Sequence, residues 1–317
     1  MKEIVAGVDI GGTNTVYGLV DREGGVVAEG SLNTASYPVI NDFVSALVTA
    51  LSELLSSGGY KLLGIGIGAP NANYYKGTIE LATNLAWKGI VPLADLVRAE
   101  IDVPVIVTND ANAAAIGEMI FGGAKNMKDF IVLTLGTGLG SGIIINGQLV
   151  YGHTGFAGEL GHVTIVPGGR ECGCGRNGCY ETYASASGLV RTAFLLLSEM
   201  KEYSILRDIK PSDLTSKKIV EAAGANDPVA LRALDFTAEK LAFGIYNAIV
   251  FSSPEAVFLF GGLAKAGEIL FEPVRKYVEK NILPLFRGAV KILPSGIPEK
   301  NAAVLGAAAL VWNEMFA

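Results

Sequence analysis

From Ile4 to Val20 the chain reads Ile-Val-Ala-Gly-Val-Asp-Ile-Gly-Gly-Thr-Asn-Thr-Val-Tyr-Gly-Leu-Val: an apolar run, a turn of glycine and threonine, and a second apolar run. From Phe130 to Ile145 the organisation returns as Phe-Ile-Val-Leu-Thr-Leu-Gly-Thr-Gly-Leu-Gly-Ser-Gly-Ile-Ile-Ile. Each stretch predicts a β-hairpin. The interval between them is far longer than a solenoid period, so two similar lobes account for the echo better than a stacked array does. Coincidence between two glycine-rich hairpins is the alternative. A length of 317 residues fits two domains of roughly 150 residues each.

Around these hairpins, short strands and helices alternate, which favours α/β architecture. Residues 3–10, 15–20 and 25–31 predict a meander. Asn41–Ser57 predicts a helix, because Phe43, Leu47, Leu51, Leu54 and Leu55 recur every three or four residues. Leu62–Gly68 and Val103–Thr108 are short apolar runs, the second leading into a helix that reaches about Phe121. Tyr151–Glu181 reads as irregular and Thr182–Ser252 as mostly helical. Asp227-Pro228 suits a helix start, with Asp as cap and Pro at the first helical position. Ala256–Phe260 predicts a strand running into Gly261-Gly262 and then a helix start. Asn301 is placed to cap a final Ala-rich helix.

The turns suggest chemistry. Glycine makes up 40 of the 317 residues, against about 7% in an average protein. Asp9-Ile-Gly-Gly-Thr-Asn14 and Leu135-Gly-Thr-Gly-Leu-Gly-Ser-Gly142 can each point backbone N–H groups at a phosphate, which approaches closely where no Cβ intervenes. Neither ends in the Gly-Lys-Ser/Thr of a Walker A loop, and each alone is compatible with a plain hairpin. Together, with Asp9 able to hold Mg²⁺ through water, they favour a nucleotide cleft. Gly261-Gly262 would add a backbone wall for an adenosine, or is an ordinary strand-to-helix turn. With only two histidines in the chain, a carboxylate is the expected general base. Asp110 is the candidate, since it follows an apolar strand where α/β sheets place ligands. The competing expectation is that Asp110 caps the helix. A helix N-terminus would also keep it ionised and therefore a weak base, which a loose phosphoryl transfer tolerates.

His162, Cys172, Cys174 and Cys179 form a Cys₃His set suited to tetrahedral Zn²⁺, with no open position, hence structural. Three buried thiols are the alternative. Zinc on one ring nitrogen would leave the other as a fixed N–H donor for a substrate hydroxyl. Glu159 and Glu181 flank the segment as acceptors, or are surface glutamates. Charge excludes other roles: 25 basic against 31 acidic residues, without a dense basic block, argues against a nucleic-acid binder. No apolar run is long enough for a membrane span. The amino terminus lacks a signal-peptide core, and three clustered cysteines make poor disulfide material. The expected compartment is the cytoplasm.

These motifs together resemble the ROK family (repressors, open reading frames and sugar kinases), which shares the actin-like ATPase fold with hexokinase and Hsp70. Asp9–Thr13 resembles the family's first phosphate motif and Leu135–Gly142 its second. Glu159-Leu-Gly-His162 with Cys172-x-Cys-Gly-x-x-Gly-Cys179-x-Glu181 resembles its signature, and Thr83-Asn-Leu-Ala-Trp87 its sugar-binding segment. The resemblance implies an α/β, two-lobed actin-like ATPase (ribonuclease H-like) fold with a cleft between lobes. The small lobe would be 1–112, joined by a C-terminal helix at 302–317. The large lobe would be 113–301, carrying a zinc-binding segment at 159–181 and nucleotide-binding elements.

It also implies an ATP-dependent kinase acting on a hexose 6-hydroxyl. Glucose comes first, with fructose, mannose or an N-acetylhexosamine as alternatives. Asp110 would be the base, and Asn84, Asn109, Asp110, Glu159, His162 and Glu181 would contact sugar. ATP and Mg²⁺ would be held by Asp9, Gly11, Gly12, Thr13, Asn14, Gly136, Thr137, Gly138, Gly261 and Gly262. Zn²⁺ would be held by His162, Cys172, Cys174 and Cys179. A homodimer is expected from the family alone. One departure is Gly68-Ala-Pro-Asn71, where many members end in glycine; Asn also tolerates left-handed backbone, so the turn can persist. Repressor members carry a helix-turn-helix ahead of the first phosphate motif. Reaching Asp9 within nine residues makes the DNA-binding sensor the disfavoured expectation.

Overall fold

A computed structural model describes residues 1–297 and 301–316. By contacts the chain divides into two units: residues 1–127, 142–157 and 296–317, and residues 128–141 and 158–295.

The first unit opens with β1 (Lys2–Ile10), β2 (Asn14–Val20) and β3 (Val26–Asn33), followed by α1 (Ile40–Ser56) and β4 (Tyr60–Gly68). Three short strands follow as a small separate sheet: β5 (Ala72–Asn73), β6 (Thr78–Glu80) and β7 (Ile90–Val91). Then come α2 (Leu93–Glu100), β8 (Val105–Thr108) and α3 (Asp110–Ile120). The main sheet has the order β3-β2-β1-β4-β8. Its first three strands form the antiparallel meander, while β4 and β8 run parallel to β1.

β1 is buried on both faces, so its apolar run is nearly continuous rather than alternating. Ile4, Ala6, Val8 and Ile10 join a core with Phe43, Leu47 and Leu51 of α1 and with Ile65 and Ile67 of β4. The opposite face receives the last helix, α9 (Ala302–Phe316). Here Gly18, Gly7 and Gly66 stand in register across β2, β1 and β4. A Cβ on Gly7 would lie 2.0 Å from the Val304 carbonyl oxygen, and one on Gly66 would lie 1.9 Å from that of Ala307. The glycine row lets the helix backbone lie directly on the sheet.

A second five-stranded sheet has the order β11-β10-β9-β12-β13. Its members are β9 (Phe130–Leu135), β10 (Leu139–Ile145), β11 (Gln148–Leu149), β12 (Ala256–Phe260) and β13 (Lys291–Pro294). β12 pairs parallel with both β9 and β13, and β10 pairs antiparallel with β11. Third, second, first, fourth, fifth is also the order in the first sheet, counting each in chain order. Coincidence between two hairpins would not reproduce it.

The helical block comprises α4 (Glu181–Ala184), α5 (Ala186–Glu199), α6 (Ser216–Gly224) and α7 (Pro228–Ser252), with α8 (Glu268–Asn281) after β12. α7 begins as expected: the Asp227 carboxylate accepts from Val229 N and Ala230 N at 3.0 Å, with Pro228 at the first turn. After Gly261-Gly262 the α-helix does not start at once. A 3₁₀ turn occupies Leu263–Ala266, and Gly267, with φ 63° and ψ −146°, breaks the path before α8 begins.

Candidate active site

In the first unit, three parallel strands end level with one another. Asp9 of β1 stands in register with Gly68 of β4, and Gly68 with Thr108 of β8. The chain leaves them as the Gly11-Gly12 turn, the Pro70-Asn71 turn and Asn109-Asp110 respectively. Gly68 keeps the two acids apart with no side chain between them: a Cβ there would lie 3.4 Å from Asp9 Oδ1 and 3.6 Å from Asp110 Cα. The turn of Gly11–Asn14 is closed by Gly11 N donating to Asn14 O at 3.0 Å. A Cβ on Gly12 would lie 2.4 Å from the Asn84 carbonyl oxygen, so the turn rests against the Asn84 backbone. Asn84 itself is exposed on a pinned loop. Lys88 Nζ donates to Leu85 O at 2.7 Å and to Thr83 O at 3.3 Å, and Trp87 Nε1 donates to Tyr37 O at 2.9 Å.

Asn109, not Asp110, caps α3: its side chain accepts from Ala111 N at 2.8 Å. Asp110 is the first helical residue, and its Oδ1 accepts from the same N–H at 2.7 Å. Burial is the largest influence on the Asp110 carboxyl and pushes it above the usual carboxylate range, with the Ala111 N–H opposing. Asp110 nonetheless keeps exposed surface, so it remains reachable. Asp9 is pushed up to about 7, chiefly by burial and secondarily by the charge of Asp110. Asn71 has φ 50°, as the turn requires, and its carbonyl accepts from Glu80 N at 3.0 Å.

The second unit brings together the other set. The turn at Gly136–Gly138 is closed by Gly136 N donating to Gly138 O at 3.1 Å, and Ala186 N donates to Gly136 O at 2.9 Å. Gly261, at φ 98°, packs on the residue before that turn, since a Cβ there would lie 2.9 Å from Leu135 O. Glu181 reaches the same turn: a Cβ on Gly138 would lie 2.6 Å from its Oε2. Its other oxygen accepts from the Cys172 thiol at 2.9 Å and lies 3.9 Å from His162 Nδ1. Glu159 is exposed and leads into the 3₁₀ turn Leu160–His162.

The ligand atoms of His162, Cys172, Cys174 and Cys179 all lie within 4.8 Å of one another. Cys174 Sγ and Cys179 Sγ are 3.7 Å apart, as are Cys172 Sγ and His162 Nδ1. A disulfide would bring sulfurs to about 2.05 Å, and all three cysteines are free. Tetrahedral Zn²⁺ with bonds of about 2.3 Å to sulfur sets its ligands roughly 3.7 Å apart. The four residues therefore fit a zinc ion, with Nδ1 facing the cluster and Nε2 left over.

Sequence reasoning gave Lys88 no place and read Gly68 only as the start of the Gly68-Ala-Pro-Asn71 turn. Gly68 carries a local signal, a glycine ending an apolar strand, but what it separates depends on register with two other strands.

The architecture is α/β, with two five-stranded sheets of the same strand order and with acids and glycine turns at strand ends. The ROK family matches residues 5–314, and the chain belongs to that family. A glucokinase of Halalkalibacterium halodurans is 39% identical over 88% of this chain and 86% of its own. A xylose repressor of Bacillus spizizenii is 30% identical over 96% of this chain and 76% of its own. A crystal structure of a ROK family glucokinase from Streptomyces griseus, in complex with glucose and AMPPNP, aligns with a TM-score of 0.82 at 35% identity. It covers 97% of this chain and 98% of that one. The fold is thus the two-lobed actin-like kinase fold. No helix among the described residues is long and apolar enough to cross a membrane.

Proposed function

We propose that this chain is an ATP-dependent glucokinase, transferring the γ-phosphoryl group of ATP to the 6-hydroxyl of glucose. The observation that carries the reading is the pair Asp9 and Asp110, on either side of Gly68 at the carboxyl ends of β1 and β8, the two parallel strands that flank β4. The likeness to a glucose- and AMPPNP-bound relative supports it.

In this reading the sugar oxygen forms a bond to the γ-phosphorus, the bond to the ADP oxygen breaks, and the hydroxyl proton passes to the Asp110 carboxylate. A loose transition state asks little covalent chemistry of the protein, so positioning dominates. Asn84 and Asn109 hold sugar hydroxyls in the first unit. Asn109 Oδ1 is taken by the helix cap, which leaves its amide N–H groups to donate. Glu159, Glu181 and His162 Nε2 serve the remaining hydroxyls. The turns Gly11–Asn14 and Gly136–Gly138 present N–H groups to phosphates, and Gly261-Gly262 borders the nucleoside. Asp9, a half-buried oxygen donor, suits Mg²⁺; that ion would neutralise phosphate charge. Zn²⁺ on His162, Cys172, Cys174 and Cys179 would hold the His162 ring at a fixed angle. A cytoplasmic location and a homodimer complete the reading.

Asp110→Asn tests the base. Turnover should fall by about 10²–10⁴-fold, the usual worth of a positioned base, while calorimetry still detects glucose binding. Turnover within a few-fold of wild type would remove Asp110 from the mechanism. Wild-type protein that binds glucose without releasing ADP would instead favour a sensor, as in the repressor relatives.

A further inference from the structure

Arg170 lies two residues before Cys172, and its guanidinium has no carboxylate partner among the described residues. It is spent on neutral groups instead. Nη1 donates to Thr182 O at 2.8 Å and to Gly188 O at 3.2 Å, and Nη2 donates to Thr192 Oγ1 at 2.9 Å. The guanidinium carbon lies 4.6 Å from the Tyr183 ring centroid and 5.6 Å from that of Phe236. The Arg170 backbone joins in, its N–H donating to Tyr183 Oη at 2.8 Å. Burial pulls the guanidinium below its usual range, but an arginine stays charged throughout.

What this cation ties together is specific. α4 is only four residues long, so its carbonyls have no partners within the helix. Arg170 supplies one for Thr182, the residue after Glu181. It does so from a loop whose next turn carries Cys172 and Cys174. The clamp thus stands one residue from Glu181 on one side and two from Cys172 on the other. Between them Cys172 Sγ donates to Glu181 Oε1 at 2.9 Å, a bond of the metal-free protein that zinc would replace by taking the thiol's proton, so the clamp rests on the Arg170 contacts and not on this bond. The loop is docked closely enough that a Cβ on Gly169 would lie 2.1 Å from Tyr183 Oη.

We propose that Arg170 is a positioning residue that fixes the Glu181 carboxylate and the Cys172–Cys179 loop in one frame, so that sugar recognition and metal retention depend on the same clamp. Lysine cannot replace it. A single ammonium on a flexible stem does not serve these three acceptors while also packing against two rings. The proposal deepens the kinase reading and rests on Glu181 contacting the sugar.

The test uses Arg170→Lys, with Tyr183→Phe as a milder second variant that removes only the hydroxyl accepting from Arg170 N. Three quantities are read on the full chain: KM for glucose, KM for ATP, and the rate at which a chromophoric chelator withdraws zinc from zinc-loaded protein. Arg170→Lys should raise glucose KM about tenfold or more, change ATP KM less than twofold, and speed zinc withdrawal at least tenfold. Tyr183→Phe should shift glucose KM and zinc withdrawal in the same directions by smaller factors. Equal rises in both KM values, or unchanged zinc withdrawal in both variants, would overturn the clamp. Glu181→Gln separates the two levels of argument. If it leaves glucose KM unchanged, the sugar-contact reading fails on its own, while zinc withdrawal still decides whether Arg170 holds the metal loop.

Discussion

Of the two carboxylates beside Gly68, Asp9 feels the charge of Asp110 as well as its own burial. Asp9 has a folded-state value of about 7 against 3.8 for an ordinary Asp, from burial first and Asp110 second. The folded protein therefore binds more protons than the unfolded chain between those values. Stability from this group is fully present below about pH 4 and is lost as pH rises through 7. The difference of about three units sets an upper bound near 4 kcal/mol. Urea unfolding of nucleotide-free protein at pH 5 and pH 8 should show the decline, and Asp9→Asn should flatten it. Identical slopes for the two proteins would contradict the burial argument. The glycine turn beside Asp9 and the closeness of Cys172, Cys174 and Cys179 could be read from adjacent residues in the sequence because both are local. The protonation of Asp110 could not. The helix N-terminus visible in the sequence lowers a carboxyl, whereas the burial that raises it comes from residues distant along the chain.

At the scale of elements, the packing of α9 on the first sheet leaves no slack. Gly66→Ala would put a methyl carbon 1.9 Å from the Ala307 carbonyl oxygen, a backbone atom that moves only if the helix moves. Overpacking of this kind is worth about 1–3 kcal/mol or more. Gly66→Ala should therefore lower unfolding free energy by about 2 kcal/mol or more, measured by urea titration. Gly224→Ala, where nothing lies within 4 Å, serves as the control and should change little. A Gly66 variant as stable as the control would show that the helix is not seated on the glycine row. The strands β1, β2 and β12 and the Asp227 cap were legible because apolar runs, turn residues and Asp-Pro are short-range signals. The glycine row was not, since Gly18, Gly7 and Gly66 become neighbours only through strand pairing. The 3₁₀ turn at Leu263–Ala266 also escaped, because Gly267 adopts a backbone conformation that composition does not reveal. Arg170 escaped for the same reason as Gly68: its partners come from α4, α5 and α7.

At the scale of the molecule, the repeated sheet order explains why the chain presents two glycine turns of similar build, one in each unit. The Cys₃His cluster predicts about one Zn²⁺ per chain, measured by elemental analysis of purified protein. Chelation should raise glucose KM more than ATP KM, since His162 and Glu181 lie at the cluster, whereas the Gly136–Gly138 turn, which Glu181 also touches, is tied independently by Ala186 N donating to Gly136 O. Equal effects would indicate general loosening instead. The most direct test of the whole account is an ADP-coupled assay with ATP across glucose, fructose, mannose and N-acetylhexosamines, with the product's phosphate position read by NMR. The account predicts the highest kcat/KM for glucose and phosphate on the 6-oxygen. ADP release that does not depend on any hexose, or a product phosphorylated elsewhere, would contradict it.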